Sequence, residues 1–568
     1  MKDKSSAARR LNGTFALVLL VLVGLLYALW EMHNATGMSY SHAPSLGKDA
    51  GDDYDEGAYV SSAGLLLRGL PLFSAVFSAQ PAFFLPSLAA VIGVASSPAV
   101  GGHLYETLSG LLVLAGVAWM AWTAYRPLAA ALGAGLLALS PGFLLYTHAV
   151  EAEAPMLALC TLAVAAAQGY YWRGRRLMAV LAGLFLIGGT EMKLLSVVVV
   201  PPVGLFLLGG LWRRRQAGAS VGSLAGDVLA ALLAFVLPAA LALVALAPSA
   251  QIAQVLTFHL DAGKVQSFQS GDNVVALRVF LGYDPALLLA AAVGLVVALL
   301  AVLSARHDRA GAVMSGQGQT STSLGARGAA STAPRLGVRG QERAPADSMG
   351  AAPAIVYALW FLFTLVFLWR YHPTFQHQFL VLLPPLALLG AGLAAAPLAH
   401  GRGAGRPALM TMGAPALAGG GAILYLALLG LKTLPADSAL LVPSNAPSRA
   451  HLAALVDKAT RPADYVVADD PMVALTAHRL PPPGIEDPSM VRITAGYLTT
   501  AQAVSATERY NVAAVVFSRP KYVHGVRAGT VLGHQLPGYL RWVEQHYREV
   551  PSPVVGARVF LRRAPSST

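Results

Sequence analysis

About eleven separate runs of roughly 17–25 apolar residues punctuate this sequence, each long enough to carry a helix across about 30 Å of hydrocarbon. They lie near 13–30, 104–123, 128–147, 155–171, 177–191, 195–211, 228–247, 286–303, 354–369, 379–396 and 411–430. Backbone facing lipid must satisfy its own hydrogen bonds, so such runs fold as helices. Composition agrees: 56% of the 568 residues are hydrophobic and 12% charged, about half the charge that a soluble surface carries. Residues 81–100 are also apolar, but Pro81, Pro86 and Pro98 interrupt them, which predicts an interfacial or re-entrant piece.

Charge orients the bundle. The formal net charge of +12 could suggest nucleic acid, but the basic residues sit between spans, as the positive-inside rule expects. Lys2, Lys4, Arg9 and Arg10 precede the first span. Arg126, Arg173/Arg175/Arg176, Arg213/Arg214/Arg215, six arginines from Arg306 to Arg343, and Arg402/Arg406 fill every second connection. Membrane lipid is therefore the expected partner, and nucleic acid is not. This alternation places the N-terminus in the cytoplasm, the protein in the inner (plasma) membrane and the C-terminus outside. A cleaved signal peptide at 13–30 is the other reading, but the alternation works best with that span retained. The single cysteine, Cys160, excludes a disulfide framework or a Cys-based metal site.

The expected fold is an all-α polytopic membrane bundle over residues 1–432, with a small C-terminal extracytoplasmic α/β domain over 433–568. Within the bundle, 32–103 forms an outside loop with interfacial helices. Residues 304–352 are rich in Ser, Gly, Ala and Arg, cannot bury a core, and read as a disordered cytoplasmic loop. In the C-terminal part ADYVVADD and VAAVVF read as buried strands. SRAHLAALVDKA, TTAQAVSATERY and LPGYLRWVEQHY read as amphipathic helices.

Chemistry is sought where charge meets the membrane. GDDYDEGAYVSSAGLLLRGL puts Asp52, Asp53, Asp55 and Glu56 at the start of a short helix, whose N-terminal N–H groups favour ionised carboxylates. A solvated loop with an ordinary N-cap would look the same. Other polar groups fall at the same outer level: His148, Glu151 and Glu153; Glu191 and Lys193; His259, Asp261 and Lys264; Arg370, His372 and His377. Each alone reads more readily as a snorkelling or interfacial residue. Together they ring one face, which suits a substrate with an anionic head group and a lipid tail.

DEGAYVSSAGLLLRGLPLF…QPAFFLP, EAEAPM, RGRR, TEMK and HQFLVLLPPLALLGAG resemble, in that order, the integral-membrane glycosyltransferases of the GT-C class. The branch is that of protein O-mannosyltransferases, lipid A aminoarabinose transferases and their RgtA/RgtB-like relatives, and the resemblance covers about 10–430. It implies transfer of a sugar from a polyprenyl-phosphate carrier to an extracytoplasmic glycan, lipid or protein. The Asp-Glu pair makes Asp55 the expected general base of an inverting reaction, with Glu56 beside it. Lys193, Arg370, His377 and Gln80 are expected at the donor phosphate, where cations stabilise the leaving charge. Asp53, Glu153 and His259 are expected to contact the acceptor or orient groups, and Asp53 competes with Asp55 for the role of base. The aminoarabinose transferases carry Glu-Lys-Pro-Pro where this chain has Ala79-Gln80-Pro81-Ala82, so their loop lysine is missing. An acidic cluster can hold a divalent ion, but no metal or other cofactor is expected. The rival readings are a lipid or glycan transporter or flippase, and a non-catalytic assembly protein.

Overall fold

The structure, a computed structural model, describes residues 2–36, 54–125, 127–265, 272–297, 351–372, 374–393, 428, 446–518, 520–523 and 526–563. Asp53, the 304–350 stretch and, apart from Leu428, the expected 411–430 span lie outside the described residues. The first part of the chain runs α1 (Lys2–Thr36), α2 (Tyr54–Leu67), α3 (Phe84–Val94), α4 (Pro98–Ala124), α5 (Pro127–Ala138), α6 (Pro141–His148), α7 (Glu153–Arg173) and α8 (Arg176–Met192). It continues through α9 (Val200–Gln216), α10 (Val221–Ala245), α11 (Asp272–Tyr283), α12 (Pro285–Val297), α13 (Ala351–Arg370) and α14 (Leu383–Ala391).

Among the described residues, six stretches are long and apolar enough to cross a membrane, or up to eight if each bent pair counts as one span. Leu17, Leu208, Leu241 and Val244 on their outer faces are each more than half exposed, so the surrounding solvent is hydrocarbon and the protein is a multi-pass membrane protein. Among the remaining expected spans, 177–191 becomes α8, and 379–396 begins as the short apolar helix Gln376–Ala391. With 11 residues, α3 extends only about 16 Å, too short to cross.

One expected span is broken at a capped proline, and a second sharp bend falls just before the expected 286–303 span. The 128–147 run divides into α5 and α6, bent by 64°. Ser140 accepts the Phe143 N–H and Pro141 occupies the first turn, where its missing N–H costs nothing. The second break lies between α11 and α12, bent by 86° at Asp284-Pro285. The breaks touch: Asp284 Oδ2 accepts the Gly142 N–H at 3.2 Å. A Cβ at residue 142 would lie 2.5 Å from that oxygen, so only glycine allows the contact. This junction fixes α6, whose far end delivers the Glu151 segment to the site.

The C-terminal segment contains α15 (Ala446–Ala459), α16 (Pro471–Thr476), α17 (Met490–Thr494), α18 (Thr500–Arg509), α19 (Val531–Gln535) and α20 (Pro537–His546). Its main sheet has the order β1-β2-β6-β5, from strands Val466–Ala468, Ala514–Phe517, Arg558–Arg562 and Tyr547–Val550. β1 and β2 are parallel and the other pairs antiparallel; β3 (Pro520–Val523) and β4 (Val526–Thr530) form a separate hairpin pair. Strand alternation supplies two cores. Val467, Val515, Phe517 and Phe560 pack with Tyr539 and Val543 of α20. Val466, Ala514, Val516 and Val559 pack with Leu452 and Val456 of α15. The segment docks directly on α2, where a Cβ at Gly57 or Gly64 would come within 2.9 Å of Met472 or Leu480 respectively.

Candidate active site

A cavity of about 360 Å³ opens where α2, the loop before α3, the short helix Phe258–Ala262, Tyr371 with residues 375–378, and residues 487–491 meet. Asp55, Gln80, Lys193, His259 and His377 line it, together with Glu151 and Asp487. Its walls are largely aromatic: Tyr54, Tyr59, Phe77, Tyr146, Phe258, Tyr371 and Phe375.

Asp55 and Glu56 both lie in the first turn of α2, but neighbours on a helix point about 100° apart. Asp55 faces the cavity. Glu56 is buried and turns the other way, accepting the Val150 N–H at 3.3 Å, with its other oxygen 3.5 Å from His103 Nε2. His103 Nδ1 lies 2.9 Å from the His148 carbonyl, and His148 Nδ1 lies 2.6 Å from Glu31. This buried string braces residues 148–151, which present Glu151. It therefore supports the site from behind, and Glu31, at the end of the first span, carried no local sign of that role.

Lys193 caps α8 with an extended backbone and forms an ion pair with Glu153 at the head of α7. His377 lies between two carboxylates, Nδ1 at 3.3 Å from Glu151 and Nε2 at 3.3 Å from Glu153. Burial pulls the Lys193 ammonium down, but Glu153 outweighs it and holds the lysine above its ordinary value. Burial pulls His377 down to about 4, assisted by Lys193 and opposed by Glu153. Burial, then Glu153 and Asp55, push the Glu151 carboxyl up. At neutral pH His377 is thus a neutral hydrogen-bonding group, and Lys193 supplies the full positive charge. His259 is also lowered by burial, with Nδ1 2.6 Å from the Val255 carbonyl.

Gln80 donates to the Tyr59 hydroxyl at 3.0 Å. Glu153 lies behind Lys193 and His377, whereas Arg370 is exposed at the end of α13 and does not line the cavity. Asp55, Glu151 and His377 bring ligand atoms within 4.8 Å of one another, the trio among the described residues that could share a cation. Glu151 was legible as one of two acids in EAEAPM. Asp487 and Ser489 were not, because nothing in the spacing of PPPGIEDPS ties it to a site hundreds of residues earlier in the chain.

The arrangement offers a carboxylate at the cavity wall, a buried cation held by a second acid, and aromatic faces around both. No protein-family model matches the chain and no curated protein matches it in sequence, but solved structures share its architecture. ArnT from Cupriavidus metallidurans bound to undecaprenyl phosphate matches with a TM-score of 0.56 at 15% identity, over 97% of this chain and 98% of that one. Its apo state gives 0.59 at 14%, over 96% and 98%. The Archaeoglobus fulgidus oligosaccharyltransferase gives 0.50 at 14%, over 94% and 73%.

The chain has the GT-C fold. Within the GT-C frame the match to ArnT takes in the C-terminal α/β segment as well as the helical bundle, since nearly all of both chains is covered. A transporter finds no support among these structures.

Proposed function

We propose that this protein is a glycosyltransferase that moves a sugar from a polyprenyl-phosphate carrier to an acceptor outside the cytoplasm. The observation that carries the reading is that one cavity, in a GT-C frame, is lined by both Asp55 and Lys193, the latter paired with Glu153 behind it. The solved ArnT holds undecaprenyl phosphate, and the archaeal AglB was captured with a dolichol-phosphate and an inhibitory peptide; a carrier and acceptor of those kinds suit this cavity.

In the reaction an acceptor hydroxyl loses its proton to the Asp55 carboxylate as its oxygen bonds to the anomeric carbon. The bond from that carbon to the phosphate oxygen breaks, the carrier leaves as its phosphate, and the centre inverts. A carboxylate suits this base because it is ionised at neutral pH and reaches the hydroxyl directly. Lys193 meets the charge developing on the phosphate, and Glu153 holds Lys193 in place. Gln80 and neutral His377 contribute hydrogen bonds there. Arg370, next to the cavity-lining Tyr371, suits the carrier at the rim. His259 orients substrate from the opposite wall, Glu56 braces the Glu151 segment, and Asp53 is the alternative base. The protein sits in the inner membrane with its N-terminus in the cytoplasm and the C-terminal segment outside.

The test is transfer of labelled sugar from a polyprenyl-phosphate donor by the purified full chain, with lipid mass spectrometry naming the carrier that co-purifies. Normal transfer in both Asp55→Asn and Asp53→Asn would remove the main support for the reading. A cytoplasm-dependent reporter fused after Thr568 should stay silent; activity would mean a miscounted span.

A further inference from the structure

At the far ends of α7, α8 and α9 from the cavity, six arginines gather: Arg173, Arg175 and Arg176 around one turn, and Arg213, Arg214 and Arg215 at the end of α9. The 21 residues of α7 separate this cluster from Glu153 by about 30 Å, so it lies at the opposite face of the bundle. Among the described residues one carboxylate serves it. Asp227 of α10, buried, accepts the Tyr170 hydroxyl at 2.8 Å, Arg176 Nε at 2.8 Å and a further ion pair from Arg214. Arg214 also donates to Ser223 Oγ at 2.9 Å. Asp227 thereby organises the floor of the cluster, with both carboxylate oxygens engaged.

The rest is rich in donors and poor in acceptors. Among the described residues, exposed Arg173, Arg175 and Arg215 have no carboxylate partner, and Arg215 reaches only the Ala219 carbonyl at 3.3 Å. The Arg213 guanidinium lies 4.8 Å and 4.9 Å from the ring centres of Tyr171 and Trp172. The Trp172 Nε1–H is buried and, among the described residues, has no acceptor. A buried donor left unpaired is costly. What the cluster lacks is an anion with several oxygens, and guanidinium groups match a phosphate in both charge and geometry.

The same spot borders the apolar surface, because Trp212, Leu177, Leu208 and Val221 are all largely exposed. Indole rings and arginines at the end of a hydrocarbon-facing helix sit at the level of lipid head groups. We propose that this face binds the phosphodiester head group of an anionic phospholipid in the leaflet opposite the cavity. A zwitterionic lipid would bring its own ammonium against the free guanidinium groups and bind less well.

The test uses the full chain in nanodiscs with equal amounts of phosphatidylglycerol and phosphatidylcholine, and native mass spectrometry to count the lipids retained. Phosphatidylglycerol should be retained over phosphatidylcholine. The triple variant Arg173→Gln, Arg175→Gln, Arg215→Gln leaves the Asp227 cluster whole and should weaken that retention about a hundredfold, given roughly fivefold per basic group at an anionic surface. Trp172→Phe keeps the ring under Arg213 but removes the N–H, and should weaken it by a smaller factor. Excess inorganic phosphate should not displace the lipid. Equal retention of the two lipids by the native chain, or unchanged retention by the triple variant, overturns the proposal. Displacement by inorganic phosphate alone overturns it too, because the face would then be a plain anion site.

Discussion

The Tyr54 hydroxyl donates a 2.9 Å hydrogen bond to Asp487 Oδ1 across 433 positions of chain. Tyr54 precedes Asp55, so the turn that presents the proposed base is pinned by a loop of the C-terminal segment. Beside it, Glu486 accepts the Phe77 N–H at 2.6 Å, and the Arg492 guanidinium lies 3.8 Å from the Phe77 ring centre. Base, cavity wall and C-terminal segment form one unit.

Asp55→Asn keeps the size of the side chain but cannot take a proton at neutral pH. Sugar transfer should fall by roughly 10²-fold or more, the scale of a lost general base, while carrier binding changes little. Asp53→Asn should cost far less. A dead Asp53→Asn beside a near-normal Asp55→Asn would move the base to Asp53.

Glu486→Ala strands the buried Phe77 N–H and should cost about 1–3 kcal/mol, read as a lower melting temperature together with weakened transfer. Tyr54→Phe, which deletes one partly exposed hydrogen bond, should cost on the order of 1 kcal/mol or less. A chain ending before Ala446 should transfer no sugar. Full turnover without residues 446–568 would separate the segment from the site.

Lys193→Met leaves Glu153 buried without its cation and should destabilise by about 3–5 kcal/mol. Adding Glu153→Gln removes the orphaned charge and should restore most of the stability, but not affinity for the anionic carrier. A double variant that binds polyprenyl phosphate as well as the native chain would show that Lys193 is not the phosphate's partner.

His377 gives a pH signature. Its folded value of about 4 lies below the ordinary 6.5, so between those values the unfolded chain binds a proton that the folded chain refuses. Its contribution is complete above pH 6.5 and is lost as the pH falls toward 4, on the order of 3 kcal/mol in total. Glu151 runs the other way. Its raised carboxyl favours the folded state below the ordinary glutamate value and loses that contribution as the pH rises through the folded value. His377→Gln should flatten the acid side of the melting-temperature profile, measured from pH 4 to 6.5. An unchanged acid slope would show that another group sets it.

The apolar runs were sufficient to read a helical membrane bundle, because hydrocarbon leaves the backbone few ways to satisfy its N–H and C=O groups. They did not show that the 128–147 run breaks, nor that a helix bends back just before the 286–303 run. Ser140-Pro141 and Asp284-Pro285 look like tolerated prolines until the two breaks are seen to meet through Gly142. Strand alternation in ADYVVADD and VAAVVF was equally legible, since each face of β1 and β2 packs its own core.

The candidate site was legible only in its separate pieces. That acids, a lysine and histidines would ring one face of the bundle followed from their positions in the chain, because each stands where a span ends. Tertiary structure alone decided their relations. Helix geometry turned Glu56 away from the cavity that Asp55 faces; the packing of α7 against α8 joined Lys193 to Glu153; and the docking of the C-terminal segment on α2 brought Asp487 to Tyr54. Such pairings depend on which surfaces pack together across hundreds of residues, and no local periodicity or spacing encodes that choice.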